Sequence, residues 1–109
     1  MATASSRSKL DRNGYAESIL QSGEYCWLCG RMDRKLDRHE AFGGAYRAKS
    51  KADGLWMLLC HDGCHEGRDG AHGNAKVQRY IRAFAQGKAM ETYGWTTEQF
   101  IMRYGKNYL

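Results

Sequence analysis

Cys26-Trp27-Leu28-Cys29-Gly30 and Leu55-Trp56-Met57-Leu58-Leu59-Cys60-His61-Asp62-Gly63-Cys64-His65 are the two passages that decide how this chain folds. In the first, two residues separate a pair of thiols and a glycine follows, the pattern of a tight turn that offers both sulfurs to one ion. The second opens on a continuous apolar run ended by polar and glycine residues, as expected of a buried strand. That strand would deliver Cys60, with Cys64 close behind. Two pairs of thiolates complete a tetrahedral four-cysteine zinc site, which is closed and structural because no position is left for water. Such a site ties two distant segments together and supplies much of the folding free energy. The three-residue gap between Cys60 and Cys64 is less usual than two. It leaves His61 or His65 as a replacement for one of the thiols.

A chain of 109 residues has room for one small domain. Domains near this size need a staple because they bury a limited fraction of their surface. Met1–Leu10 (MATASSRSKL) is polar and lacks the apolar core of a secretory signal. No apolar run approaches the roughly 20 residues of a membrane span, and none of the expected partners is a membrane. A cytosolic location follows as the expectation, and there reduced cysteines bind metal more readily than each other. The formal charge of +5 favours a polyanionic partner, most simply nucleic acid. Nothing in the sequence sets the oligomeric state.

Outward from the two passages, residues 1–23 read as a polar tail in which Tyr15–Leu20 (YAESIL) could form a short helix. Residues 24–109 read as the domain proper. Arg31–Arg38 is a charged segment, and Tyr46–Lys51 (YRAKSK) is expected as a basic loop. Asn74 is a helix N-cap. Behind it Val77, Tyr80, Ile81, Phe84 and Ala85 recur at helical spacing, so a helix is predicted from about Ala75 to Tyr93, weakened at Gly87 and closed by Gly94. Thr96 and Gln99 form a capping box for a last short helix carrying Phe100, Ile101 and Tyr104 to Gly105. The fold class is α+β.

The four histidines are His39, His61, His65 and His72, and all lie outside the long amphipathic helix. His39 ends the charged segment with Glu40 beside it. His65 directly follows a zinc thiol, so the staple would fix its backbone and let it serve a second, catalytic metal. At these residues the chain resembles the HNH, or ββα-metal, endonucleases, and above all small phage and prophage members. The resemblance is carried by Cys26–Gly30, Arg38–Gly44 (RHEAFGG), Gly54–Trp56, Leu59-Cys60, Cys64-His65, His72–Asn74 and Gly105–Leu109. It covers about Tyr25–Asn74 with specific motifs and reaches weakly to Leu109.

That resemblance implies a small zinc-stapled ββα-metal core with additional C-terminal helices. It also implies a metal-dependent DNA endonuclease that hydrolyses phosphodiester bonds in the cytoplasm of a bacterial host. Beside the structural Zn²⁺ it implies a catalytic divalent ion, Mg²⁺, Mn²⁺, Ni²⁺ or Zn²⁺. Carried over by position, His39 is the first ligand of that ion, Glu40 stands at the general-base position, His65 is the ligand after the last zinc cysteine, and His72 is the third. Arg38, Arg47, Lys49 and Lys51 would hold DNA through its phosphates, with Arg31, Arg34 and Lys35 on the same charged segment. Lys76, Arg79 and Arg82 line the side of the long helix away from Ile81 and Phe84, either as a solvated face or as DNA contacts.

Two departures stand out. The base is usually a histidine, and here the neighbour of His39 is a glutamate. Either Glu40 activates the water, or His39 is the base and Asp37 the ligand, since strand residues two apart share a face. The middle asparagine of the family is absent from Lys51–Trp56, so Asp53 replaces it or the loop is held otherwise. The alternative function is a zinc-stapled module that binds DNA at a degenerate site without cutting it.

Overall fold

A computed structural model describes residues 9–68 and 70–109, so residues 1–8 of the expected tail lie outside the described residues. Strand β1 (Leu36–Glu40) pairs antiparallel with β2 (Trp56–Cys60), in the register Leu36↔Cys60 to Glu40↔Trp56. The connection between them holds a 3₁₀ turn (Gly44–Tyr46) and helix α1 (Arg47–Ala52). A π-helical turn (His61–His65) follows β2, and then come α2 (Ala75–Tyr93) and α3 (Thr97–Tyr104). Two strands and a helix therefore make a small ββα element inside a mixed α+β molecule.

Alternation along the hairpin decides what faces what. Asp37 and His39 share one face with their partners Leu59 and Met57, while Arg38 and Glu40 share the other with Leu58 and Trp56. Met57 and Leu59 are fully buried and join Ile81, Ala85, Ala89 and Phe100 in the core. The Cys26–Gly30 turn docks on α2 through Trp27, whose ring lies 5.0 Å from that of Phe84. The predicted helix ends are all present. Asn74 accepts from the amides of Lys76 and Val77, Gly94 closes α2 at φ +70°, and Thr96 with Gln99 forms the capping box of α3. Gly87 leaves α2 unbroken.

Two expectations are corrected. Tyr15–Leu20 is not helical. Its backbone instead covers the edge of β2 that β1 leaves open. The amide of Ile19 donates to Gly54 O at 2.9 Å, Ser18 Oγ donates to Trp56 O at 2.6 Å, and Leu58 N donates to the side chain of Gln21 at 2.9 Å. Six residues are too few to hold a helix alone, and Ser18 spends its hydroxyl on backbone rather than on a helical turn. The second correction is the basic loop. Residues 47–52 form α1, built from the good helix formers Arg, Ala and Lys. Ser50 locks it inward by accepting from Phe42 N and donating to Leu55 O.

The end of that connection is fixed by Asp53, whose side chain is completely buried. Its carboxylate accepts from Arg103 Nε at 2.5 Å, Arg103 Nη2 at 2.9 Å and Tyr104 Oη at 2.6 Å. The hairpin connection is thereby bound to α3, and Asp53 steadies the loop that lacks an asparagine. Asp53→Ala is expected to lower the unfolding free energy by about 3 kcal/mol, because it strands a buried hydroxyl and a half-buried guanidinium. Urea denaturation checks this, and a shift under about 0.5 kcal/mol, the level of a neutral surface change, would contradict it.

Candidate metal centres

The sulfurs of Cys26, Cys29, Cys60 and Cys64 all lie within 4.8 Å of one another. Cys29 and Cys60 are 3.9 Å apart, far beyond a disulfide bond and close to the roughly 3.8 Å between sulfurs around one tetrahedral zinc. Each pair is preorganised by its own turn. Cys26 Sγ accepts from Cys29 N at 3.5 Å, and Cys60 Sγ from Cys64 N at 3.3 Å. Gly30, at φ +80°, closes the first turn in a conformation that a side chain would resist. Burial raises the Cys26 thiol, but the backbone amides of Cys29 and Cys60 outweigh it and bring the thiol down to about 7. Burial and then the neighbouring thiols push Cys64 up. Four thiolates so close repel one another, and a single cation removes that conflict. The four thiols are placed so that they could hold a zinc ion without His61 or His65.

A second cluster lies one residue away. His39, His65 and His72 each offer a ring nitrogen, and these lie within 4.8 Å of one another. His65 Nε2 and His72 Nε2 are 3.1 Å apart, near the roughly 3.3 Å between two nitrogens on one ion. Three parts of the fold deliver the rings. His39 comes from β1, and His65 from the π turn immediately after Cys64. His72 arrives on a loop tied back to that turn, with Ala71 N donating to Cys64 O at 2.7 Å and His72 N to His65 O at 3.2 Å. Gly70 permits this approach: a Cβ there would stand 2.5 Å from the carbonyl oxygens of Cys64 and Gly63.

His39 is only 7% exposed, and neither of its ring nitrogens has a hydrogen-bond partner among the described residues. Burial, then the charges of His65, His72 and Arg82, lower its pKa to about 3. The ring therefore stays neutral with a free lone pair, which is the state a metal needs. An orphaned buried imidazole facing two others is an arrangement that a divalent cation satisfies.

Asp37 stands behind this cluster. Its Oδ2 lies 2.9 Å from His65 Nδ1 and 2.5 Å from His61 Nδ1. Burial raises its carboxyl, but His61 and His65 more than reverse this and hold it below the usual range. With Nδ1 on Asp37, His65 directs Nε2 at the other two histidines, so the carboxylate orients a ligand from behind. Asp37, His61 and His65 also form a compact group of their own that could hold an ion. Asp37→Asn is expected to weaken divalent-ion binding at the histidine cluster by about 10–100-fold. Isothermal titration of the zinc-loaded protein with Mn²⁺ or Ni²⁺ measures it, and an unchanged affinity would remove Asp37 from this role.

Glu40 is among the residues that border the small cleft, about 120 Å³, that His39, His72, Gln78 and Arg82 also line, although strand alternation groups its side chain with Arg38 on the face opposite His39. Both carboxylate oxygens are engaged, one by the Tyr15 hydroxyl and one by Arg47 Nε at 2.8 Å. The basic residues expected to meet DNA are also occupied. Arg38 pairs with Asp11 at 2.9 Å and lies over Tyr15 and Trp56, on the hairpin face opposite His39. Lys49 donates to Arg103 O at 3.2 Å, and Lys51 lies over the Tyr15 ring. Conversely, Arg82 and Gln78 turn out to be walls of the cleft. The available signal was a polar stripe at four-residue spacing, Asn74, Gln78, Arg82 and Gln86, which places all four along one side of α2. Among the described residues no helix is long and apolar enough to cross a membrane. No model of a known protein family, no curated protein and no solved structure matches the chain.

Proposed function

We propose that this protein is a metal-dependent DNA endonuclease of the HNH type, stapled by one zinc on Cys26, Cys29, Cys60 and Cys64. The observation that carries this reading is the buried His39, unpartnered among the described residues, converging with His65 and His72, with His39 and His72 lining a small cleft. His39, His65 and His72 would hold the divalent ion, with Asp37 orienting His65. When bound, such an ion supplies positive charge to a nonbridging phosphate oxygen and to the leaving 3′-oxygen.

Glu40 is the proton acceptor in this reading. Its bond to Arg47 is the exchangeable one, because the Arg47 side chain is 61% exposed and can swing toward another anion. A phosphate arriving at the cleft competes for the guanidinium and frees one oxygen of Glu40. That oxygen takes a proton from water as the water attacks phosphorus and the bond to the 3′-oxygen breaks, the departing 3′-oxygen taking up a proton from solvent. Tyr15 keeps the other oxygen in place. Burial and then the Glu40 hydrogen bond push the Tyr15 hydroxyl up to about 12, so it remains a donor.

Supercoiled plasmid tests the reading. Nicked or linear product is expected with Mg²⁺, Mn²⁺ or Ni²⁺ and none with EDTA. Zinc-loaded protein that converts no plasmid with any of these ions is instead a DNA-binding module without nuclease activity.

A further inference from the structure

Gln86 sits in the buried face of α2 among Ile81, Ala85 and Ala89 and is itself completely buried. An amide there must find partners or destabilise the helix packing. It finds them in the segment after α3. Its Nε2 donates to Asn107 Oδ1 at 2.8 Å, and its Oε1 accepts from Tyr108 N at 2.6 Å. The Tyr108 ring packs 5.3 Å from that of Phe42, with Arg82 and Lys106 on its faces at 5.7 and 5.4 Å. The segment from Gly105 to Leu109 is thus pinned beside the first turns of α2.

Between the two runs a groove of about 410 Å³, lined by Gln78, Arg79, Arg82, Lys106 and Asn107 among others. Gln78 and Arg82 also line the cleft of His39 and His72, so groove and cleft share a wall. No acidic side chain among the described residues lines the groove. Among the described residues Arg79, Arg82 and Lys106 have no ion pair, whereas Arg38 and Arg47 are each bound by a carboxylate. Cations left unpaired along a groove that opens at a catalytic cleft are suited to consecutive phosphates.

We propose that this groove binds the sugar–phosphate backbone of the DNA strand leading away from the histidine cluster. Arg79 and Lys106 hold phosphates beyond the one at the cleft, and Gln86 is a positioning residue that fixes the groove's second wall. The proposal deepens the nuclease reading and rests on it.

Binding of a labelled 20-base-pair duplex, followed by fluorescence anisotropy without added divalent ion, tests the groove apart from cleavage. Arg79 and Lys106 are exposed, so replacing them leaves the core intact. Arg79→Ala/Lys106→Ala is expected to weaken binding at least about tenfold at moderate salt and to reduce the salt slope by about two. Gln86→Leu should weaken binding with every cation still present, and circular dichroism checks that its helices persist. Arg12→Ala/Lys88→Ala, which removes two cations outside both groove and cleft, should change affinity less than about threefold. If the groove variant binds as the wild type does while plasmid is still cut, the groove is wrong and the nuclease reading stands. If wild type neither binds the duplex nor cuts plasmid, both fail together.

Discussion

Cys29→Ser is expected to lose its zinc and, with it, a cooperative unfolding transition. Cys29 is the informative choice among the four thiols because it is exposed, whereas Cys26 and Cys60 are buried. Serine at Cys29 leaves no cavity, so any loss of structure reports the metal and not packing. A structural zinc of this kind contributes an apparent 10–16 kcal/mol or so in small domains, as much as or more than the roughly 5–15 kcal/mol by which whole domains are stable. Apart from the thiols, the knuckle is tied to β2 and α2 through Trp27, whose N donates to Leu58 O and whose ring packs on Phe84 and Tyr80. Elemental analysis should fall from one zinc per chain to none, and the thermal transition should broaden or vanish. Because Cys64 and His65 are adjacent, the same variant should also lose divalent binding at the histidines. Native circular dichroism and an unchanged melting temperature in Cys29→Ser would rule the staple out.

What the sequence made legible is what short-range chemistry determines. The two thiol pairs, the Asn74 cap, the Gly94 stop and the Thr96–Gln99 box each declare themselves within a few residues, and each is present. The continuous apolar run of β2 was equally plain, since both of its faces are covered. Tyr15–Leu20 was misread because its partners are carbonyls and amides of residues 51–58, which no local pattern announces. Tyr46–Lys51 was misread for the opposite reason: its charge suggested a loop, while its helix propensity and the inward Ser50 decided otherwise. The histidines were recognisable as a set. Their convergence depends on the hairpin register and on the close approach at Gly70, and neither can be read from spacing. Gln86 and Asp53 show the same limit, since each is a polar residue bonded to partners 21 to 51 positions away.

His39→Ala should abolish plasmid cleavage while keeping zinc, fold and duplex affinity. The fold should survive because His39 makes no hydrogen bond among the described residues, so alanine strands no partner, and the Met57 and Leu59 core beside it is unaltered. The chemistry should not survive. Without that ring the cluster keeps only His65 and the exposed His72, and the second ion loses its one buried ligand. Metal charge stabilisation is worth several kcal/mol in the transition state. At about 1.4 kcal/mol per tenfold, its loss lowers the rate by about a thousandfold or more. Glu40→Gln separates the roles. As the proton acceptor, Glu40 should give a fall of about 10²–10⁴-fold on amidation, with Mn²⁺ or Ni²⁺ affinity unchanged. Glutamine keeps a carbonyl for the Tyr15 hydroxyl, so the local packing is preserved. A fully active Glu40→Gln would hand the proton to another group, with the metal cluster intact. A fully active His39→Ala would be more damaging: the buried orphan imidazole would have no catalytic meaning, and the nuclease would have to be sought elsewhere on the chain.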